Sequence, residues 1–155
     1  MIIVYQDVGG AHSSAMASNI HVNKLPKDRL PSRDELMALP TFDKITKSQY
    51  GHLIYIGDDE FNNKVYTISR QRKPELVIPA ITDMFTILNG SVSELCIVCT
   101  QPKVNVWMKI GGFSSRRLGL VSFGRPIVIY GSLKAYNSLV ELVEGVKKRL
   151  ELREN

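Results

Sequence analysis

Apolar and polar positions fall in blocks along the chain, and the period changes from block to block. Residues 1–5, MIIVY, form a continuous apolar run of strand length, closed by polar residues and a glycine pair. Such a run predicts a buried strand. Ala15, Met16, Ala17, Ile20 and Val22 recur at helical spacing and predict a helix over 13–22, its alanines allowing close packing on a sheet. Pro26 and Pro31 mark a loop. Ser32 and Glu35 have capping-box spacing, so a short helix follows to about Leu39, where Pro40 stops it. Residues 41–51 show no convincing period. This long excursion before the next strand is either a lid or packed connection.

Residues 52–57 and 64–69 are rich in β-branched and aromatic side chains and predict two strands of a hairpin. Their link holds Asp58, Asp59 and Glu60, which are expected to be solvated because the partners of a calcium loop are missing. Leu76, Val77, Ala80, Ile81, Met84, Phe85 and Leu88 make a strong helical stripe. Pro79 either kinks that helix or marks its start, and Asn89-Gly90 ends it. Residues 94–100 read as a buried strand. A further helix begins near Thr100 and Pro102, runs past Trp107 and Ile110 to Gly111-Gly112, and continues irregularly towards Gly119. Residues 126–131, PIVIYG, predict a last strand. Tyr136, Leu139, Val140, Val143, Val146 and Leu150 give the apolar face of a closing helix. The order predicts an α/β fold: a single three-layer sandwich over residues 1–155, with a mainly parallel sheet and one edge hairpin.

Composition narrows the picture only a little. A chain of 155 residues, 44% apolar and 23% charged, supports one ordinary core. No apolar run has the length of a membrane span, and no cleavage signature follows the N-terminus, so a cytoplasmic location without a membrane partner is expected. The net charge of +5 favours acidic ligands. No nucleic-acid motif or aromatic-interleaved basic stripe accompanies it, so a nucleic-acid partner is not expected. Cys96 and Cys99 form a C-x-x-C, but three apart on a strand they point to opposite faces, and no second pair completes a zinc site. They are expected to be small buried apolar residues.

The segment with chemistry in it is the junction of first strand and first helix: Asp7, Val8, Gly9, Gly10, Ala11, His12, Ser13, Ser14. The first N–H groups of a helix lack internal partners and the macrodipole is positive there, so such a junction suits an anion. Gly9 and Gly10 permit a positive φ and close approach, and Ser13 and Ser14 can cap the helix or donate to phosphate oxygens. A plain strand–helix turn with a serine cap is the simpler alternative. Asp7, at the C-terminal end of a strand, suits a ribose hydroxyl, Mg²⁺ or a base. His12 is the candidate acid–base partner. Asp7 and His12 are therefore the catalytic candidates, with a divalent cation such as Mg²⁺ required if there is turnover. Ligand-binding candidates are Gly9, Gly10, Ala11, Ser13, Ser14, Arg70 at a strand end, and the pair Arg116 and Arg117 beside glycines and serines. An alternative for that pair is an ion pair with Glu141 or Glu144. No metal-ligand set gathers His12, His21 and His52.

Three segments carry a resemblance. The run from Val4-Tyr5 through Gly9 to Ser14 and on to Ile20-His21, the run from Met108 to Ser122 around Gly111-Gly112-Phe113-Ser114-Ser115-Arg116-Arg117, and Gly124-Arg125-Pro126 are similar to domain-of-unknown-function family 3189. The resemblance covers almost the whole chain. It implies a cytoplasmic bacterial protein of spore-forming Firmicutes, linked to sporulation, and carries no activity. The first loop alone resembles in length the C-x5-R-[ST] loop of low-molecular-weight tyrosine phosphatases. Asp7 stands where that loop has its cysteine and Ser13 where it has its arginine, so the likeness carries the cradle and not the catalysis. The function expected is binding of a phosphorylated small ligand, a nucleotide foremost, with phosphohydrolase or phosphotransferase activity open. The alternative is a regulatory or protein-interaction module whose glycine turns are structural.

Overall fold

The computed structural model describes residues 1–154, and for Arg116, Arg117, Arg153 and Glu154 the backbone alone. The chain runs β1 (Ile2–Asp7), α1 (Ser13–His21), α2 (Arg33–Ala38), β2 (Ile54–Asp58), β3 (Lys64–Ser69), α3 (Pro74–Asn89), β4 (Leu95–Cys99), α4 (Val106–Gly112) and α5 (Val121–Glu154). The four strands form one sheet in the order β2-β3-β1-β4. β1 is parallel to both β3 and β4, and β2 is antiparallel to β3. The sheet is therefore mixed, where a mainly parallel one was expected. A central parallel strand is covered on both faces, and β1 is buried along nearly its whole length.

The main core lies where Ile3 and Tyr5 of β1 meet Met16, Ala17 and Ile20 of α1 and Tyr136, Leu139 and Val143 of α5. The excursion between β1 and β2 is packed connection and not a lid: Leu36, Leu39 and Phe42 join the same core. Its capping box is present, with Ser32 accepting from the Glu35 N–H and Glu35 accepting from the Ser32 N–H.

Several expectations change. Residues 126–131 are not a strand but part of α5. Isoleucine and valine favour strands, yet here Val128 and Ile129 are buried at helical positions while Pro126 faces out. The carbonyl that Pro126 leaves unpaired, at Ser122, lies near the helix start on an exposed residue. α3 tolerates Pro79 likewise, opens on Pro74, and is capped by Gly90 at φ 76°. The helix that its stripe predicts is present, and no residue of α3 is fully buried. Cys96 is half-buried and Cys99 exposed because β4 is an edge strand. The irregular stretch after α4 is a π-helical turn, Phe113–Arg117, followed by Gly119 at φ 70°. Finally, of the hairpin carboxylates Asp58 and Glu60 are exposed as expected, but Asp59 is not. Asp59 is buried, accepts from the N–H groups of Phe61 and Asn63 and from the Asn63 amide, and contacts His21.

Candidate functional site around Asp7 and Asp43

β1, β3 and β4 are parallel, so their C-terminal ends open on the same edge, where α/β proteins place ligands. Asp7 ends β1 there, 4% exposed. Its Oδ1 accepts the Gly10 N–H at 2.5 Å. Its Oδ2 accepts the Ser14 N–H at 2.9 Å and the Ser13 hydroxyl at 2.5 Å. The Ser13 hydroxyl stands 2.9 Å from that of Thr100, just beyond β4. The serines do not cap α1: His12 is its N-cap residue, and its side chain makes no capping bond. Asp7 takes over that role from the strand, a carboxylate at the positive end of the helix. The loop thus carries its own anion. Gly10 is needed on two counts, since its φ is 67° and a Cβ would come within 2.7 Å of the Ser69 backbone nitrogen.

The second half of the site is centred on Asp43, a residue from the stretch without a period. Its backbone sits at φ 52°, and its N–H donates to the Ala11 carbonyl at 3.0 Å, which ties it to the first loop. Three side chains converge on its carboxylate. His12 Nε2 lies at 3.3 Å, the Ser115 hydroxyl donates at 2.9 Å, and Arg125 Nε donates at 3.0 Å. A carboxylate only accepts, so Nε2 is the protonated nitrogen of His12 in this contact. Phe42 packs edge-on against the His12 ring, and Gly112 also lies against that ring. Burial alone would raise the Asp43 carboxyl. Hydrogen bonds and charge from His12, with the bonds from Arg125 and Ser115, outweigh it and hold the group down at about 2.

The geometry brings together Asp7, Gly10, His12, Ser13 and Ser14 with the GGFSS segment and Arg125. It leaves Arg70 apart: its Nε donates to Gln6 Oε1 at 2.5 Å, one Nη donates to the Gln71 carbonyl at 3.0 Å, and it is 8% exposed. The side chains of Arg116 and Arg117 lie outside the described residues, as does the alternative that they pair with Glu141 or Glu144. Among the described residues, Ser14 Oγ is buried without a hydrogen-bond partner and the N–H groups of Gly9 and Ala11 donate to nothing. Arg125 is 31% exposed along its side chain, and only its Nε is engaged; its two Nη groups take no partner among the described residues. The described residues contain no group of three His, Cys, Asp or Glu able to hold a metal. Two concavities, of about 660 and 380 Å³, flank β4 and include none of these residues.

Residue-by-residue reading missed Asp43, Ser115 and Arg125. Ser115 and Arg125 lay within segments that attracted notice. Asp43 carried no signal, because its role depends on a left-handed backbone and on partners 31 to 82 positions away.

No curated protein and no solved structure matches the chain. Both glycine-bearing segments that meet at Asp43 lie within residues 2–148, and over those residues the chain matches the model described as protein of unknown function (DUF3189), the family to which it belongs.

Proposed function

We propose that the protein binds a phosphorylated small ligand, a nucleotide foremost, between the Gly9–Ser14 loop and the segment that carries Ser115 and Arg125. The observation that supports this reading most is the state of Arg125. Its Nε is anchored on a buried carboxylate, which fixes the guanidinium plane, while both Nη groups, without a partner among the described residues, can fork onto phosphate oxygens. The unbonded N–H groups of Gly9 and Ala11 belong to the adjoining loop. In this reading Asp7 organises the loop and does not meet the ligand, because both its oxygens are engaged and it is buried. The protein is then a binding module first. Phosphohydrolase or phosphotransferase chemistry is the second reading, with His12 the group suited to proton transfer and a divalent cation needed to bring an anionic ligand past Asp7. A cytoplasmic, Firmicutes and sporulation-linked setting goes with either reading, as does α3 serving as the cover that completes three layers.

A thermal-shift screen of inorganic phosphate, sugar phosphates and nucleotides, with and without Mg²⁺, tests the proposal. The expected result is a rise in Tm with at least one phosphorylated compound, and an affinity about tenfold or more weaker in Arg125→Ala. A flat response across the panel, or an unchanged affinity in Arg125→Ala, contradicts it.

A further inference from the structure

Charge is segregated along this chain to a degree that its net value hides. Residues 95–140 contain no Asp or Glu at all, but hold Lys103, Lys109, Arg116, Arg117, Arg125 and Lys134. Of the chain's 20 Lys and Arg those are six, leaving 14 to face all 15 Asp and Glu elsewhere. The whole positive balance resides in the α4–α5 region.

The same region exposes large apolar side chains. Leu118 is 56% exposed, Leu120 53% and Phe123 64%. They lie on and just after the turn that joins α4 to α5, and none lines either of the two concavities. Further back, Trp107 and Tyr130 meet edge-on at 5.7 Å, and Lys134 Nζ stands 4.8 Å from the Tyr130 ring. Tyr130 lies about 13 Å along α5 from its first residue. An apolar turn, in a stretch of chain whose only charged residues are basic and with an aromatic pair behind it, has the make-up of a segment that enters the headgroup region of a bilayer.

We infer that the α4–α5 turn docks on an anionic membrane surface. A second copy of this chain is a poor occupant, because it would set a stretch without acidic residues against its own copy. A protein partner with a pocketed surface is less well matched, because these side chains stand on a turn and call for no complementary shape. No helix among the described residues is long and apolar enough to cross a membrane, so the contact is with the surface. The expectation of no membrane partner followed from the want of a spanning segment and does not address surface contact.

Trp107 is the chain's single tryptophan and therefore reports on this region alone. The test follows its emission as the full chain is titrated with vesicles of phosphatidylcholine alone, or with about a third phosphatidylglycerol. The expected result is a blue shift with the anionic vesicles only, reversed by roughly 1 M salt. The double variant Leu120→Ser, Phe123→Ser should partition at least tenfold more weakly at an unchanged Tm. Neither residue contacts Asp43, so the response to inorganic phosphate should persist in that variant, and the two proposals fail separately. No shift with anionic vesicles, an equal shift with neutral ones, or undiminished binding by the double variant overturns the inference. A shift with polyglutamate but not with vesicles overturns it too, and assigns the surface to an acidic protein.

Discussion

At the scale of single residues, Asp43 is the group on which most depends. One buried carboxylate accepts from an imidazole, a hydroxyl and one guanidinium N–H drawn from three separate segments. Its protonation is therefore a stability event. The unfolded chain takes up the proton near 3.8, whereas the folded one resists it down to about 2. This contribution is complete above about pH 4 and is lost as pH falls through about 2; it amounts to about 2 kcal/mol. Asp43→Asn should lower stability at pH 7 by roughly that amount in urea unfolding, and should flatten the acid limb of the wild-type curve below pH 4. Wild-type stability in the Asp43→Asn variant would show the hub to be dispensable. Gly10 is held by the backbone itself, independently of any ligand. Any side chain there collides with β3, so replacing Gly10 by valine would unfold the loop whether or not a ligand binds.

At the scale of elements, the helical hairpin of α4 and α5 decides where Ser115 and Arg125 stand. The two helices cross closely: a Cβ on Gly124 would come within 2.8 Å of the Gly111 carbonyl oxygen and of Ser115 Cα. Gly124→Ala should therefore push the π-helical turn away from Asp43, costing about 1–3 kcal/mol and weakening phosphate binding with it. A fully stable Gly124→Ala protein with normal binding would mean that the crossing has slack. The hairpin was also where local pattern served least. Residues 126–131 have strand composition, yet they continue a long helix, because burial of Val128 and Ile129 against α4 outweighs a propensity difference of a few tenths of a kcal/mol per residue. Where tertiary packing did not compete, pattern sufficed. The Ser32–Glu35 box, β3 at 64–69 and the Gly90 cap all appear where their residues place them. The stripe on α3 located a helix correctly but not a core, since periodicity reports which residues share a face and not what covers it.

At the scale of the whole molecule, a buried polar chain ties the sheet to its helices at the end opposite the candidate site. The Tyr5 hydroxyl lies 2.7 Å from His21 Nδ1, and His21 Nε2 lies 3.1 Å from Asp59. The neutral imidazole satisfies both neighbours, accepting at Nδ1 and donating at Nε2. Beside it Lys147 of α5 donates to Glu60 at 2.6 Å. Burial lowers the His21 pKa, the bond to Asp59 only partly restoring it, so the unfolded chain binds this proton more readily. Stability from this site is complete above about pH 6.5 and declines as pH falls below it. Wild-type Tm should begin to drop on acidification near that point. A His21→Gln variant should start lower and lack that early decline. The candidate site was half legible in the sequence, because the loop with its glycines and serines is a local motif. The rest was not, since Asp43 and Arg125 acquire their roles only when the excursion and the hairpin fold back over that loop.

The central claim, that the loop and Arg125 together receive a phosphate group, is tested most directly by titrating isotope-labelled protein with inorganic phosphate while observing backbone amides and arginine side chains by NMR. The account predicts saturable shifts at the amides of Gly9 and Ala11 and at the Arg125 guanidinium, with the residues of α3 unmoved. Shifts confined to the concavities beside β4, or no saturable shift at all, would contradict it.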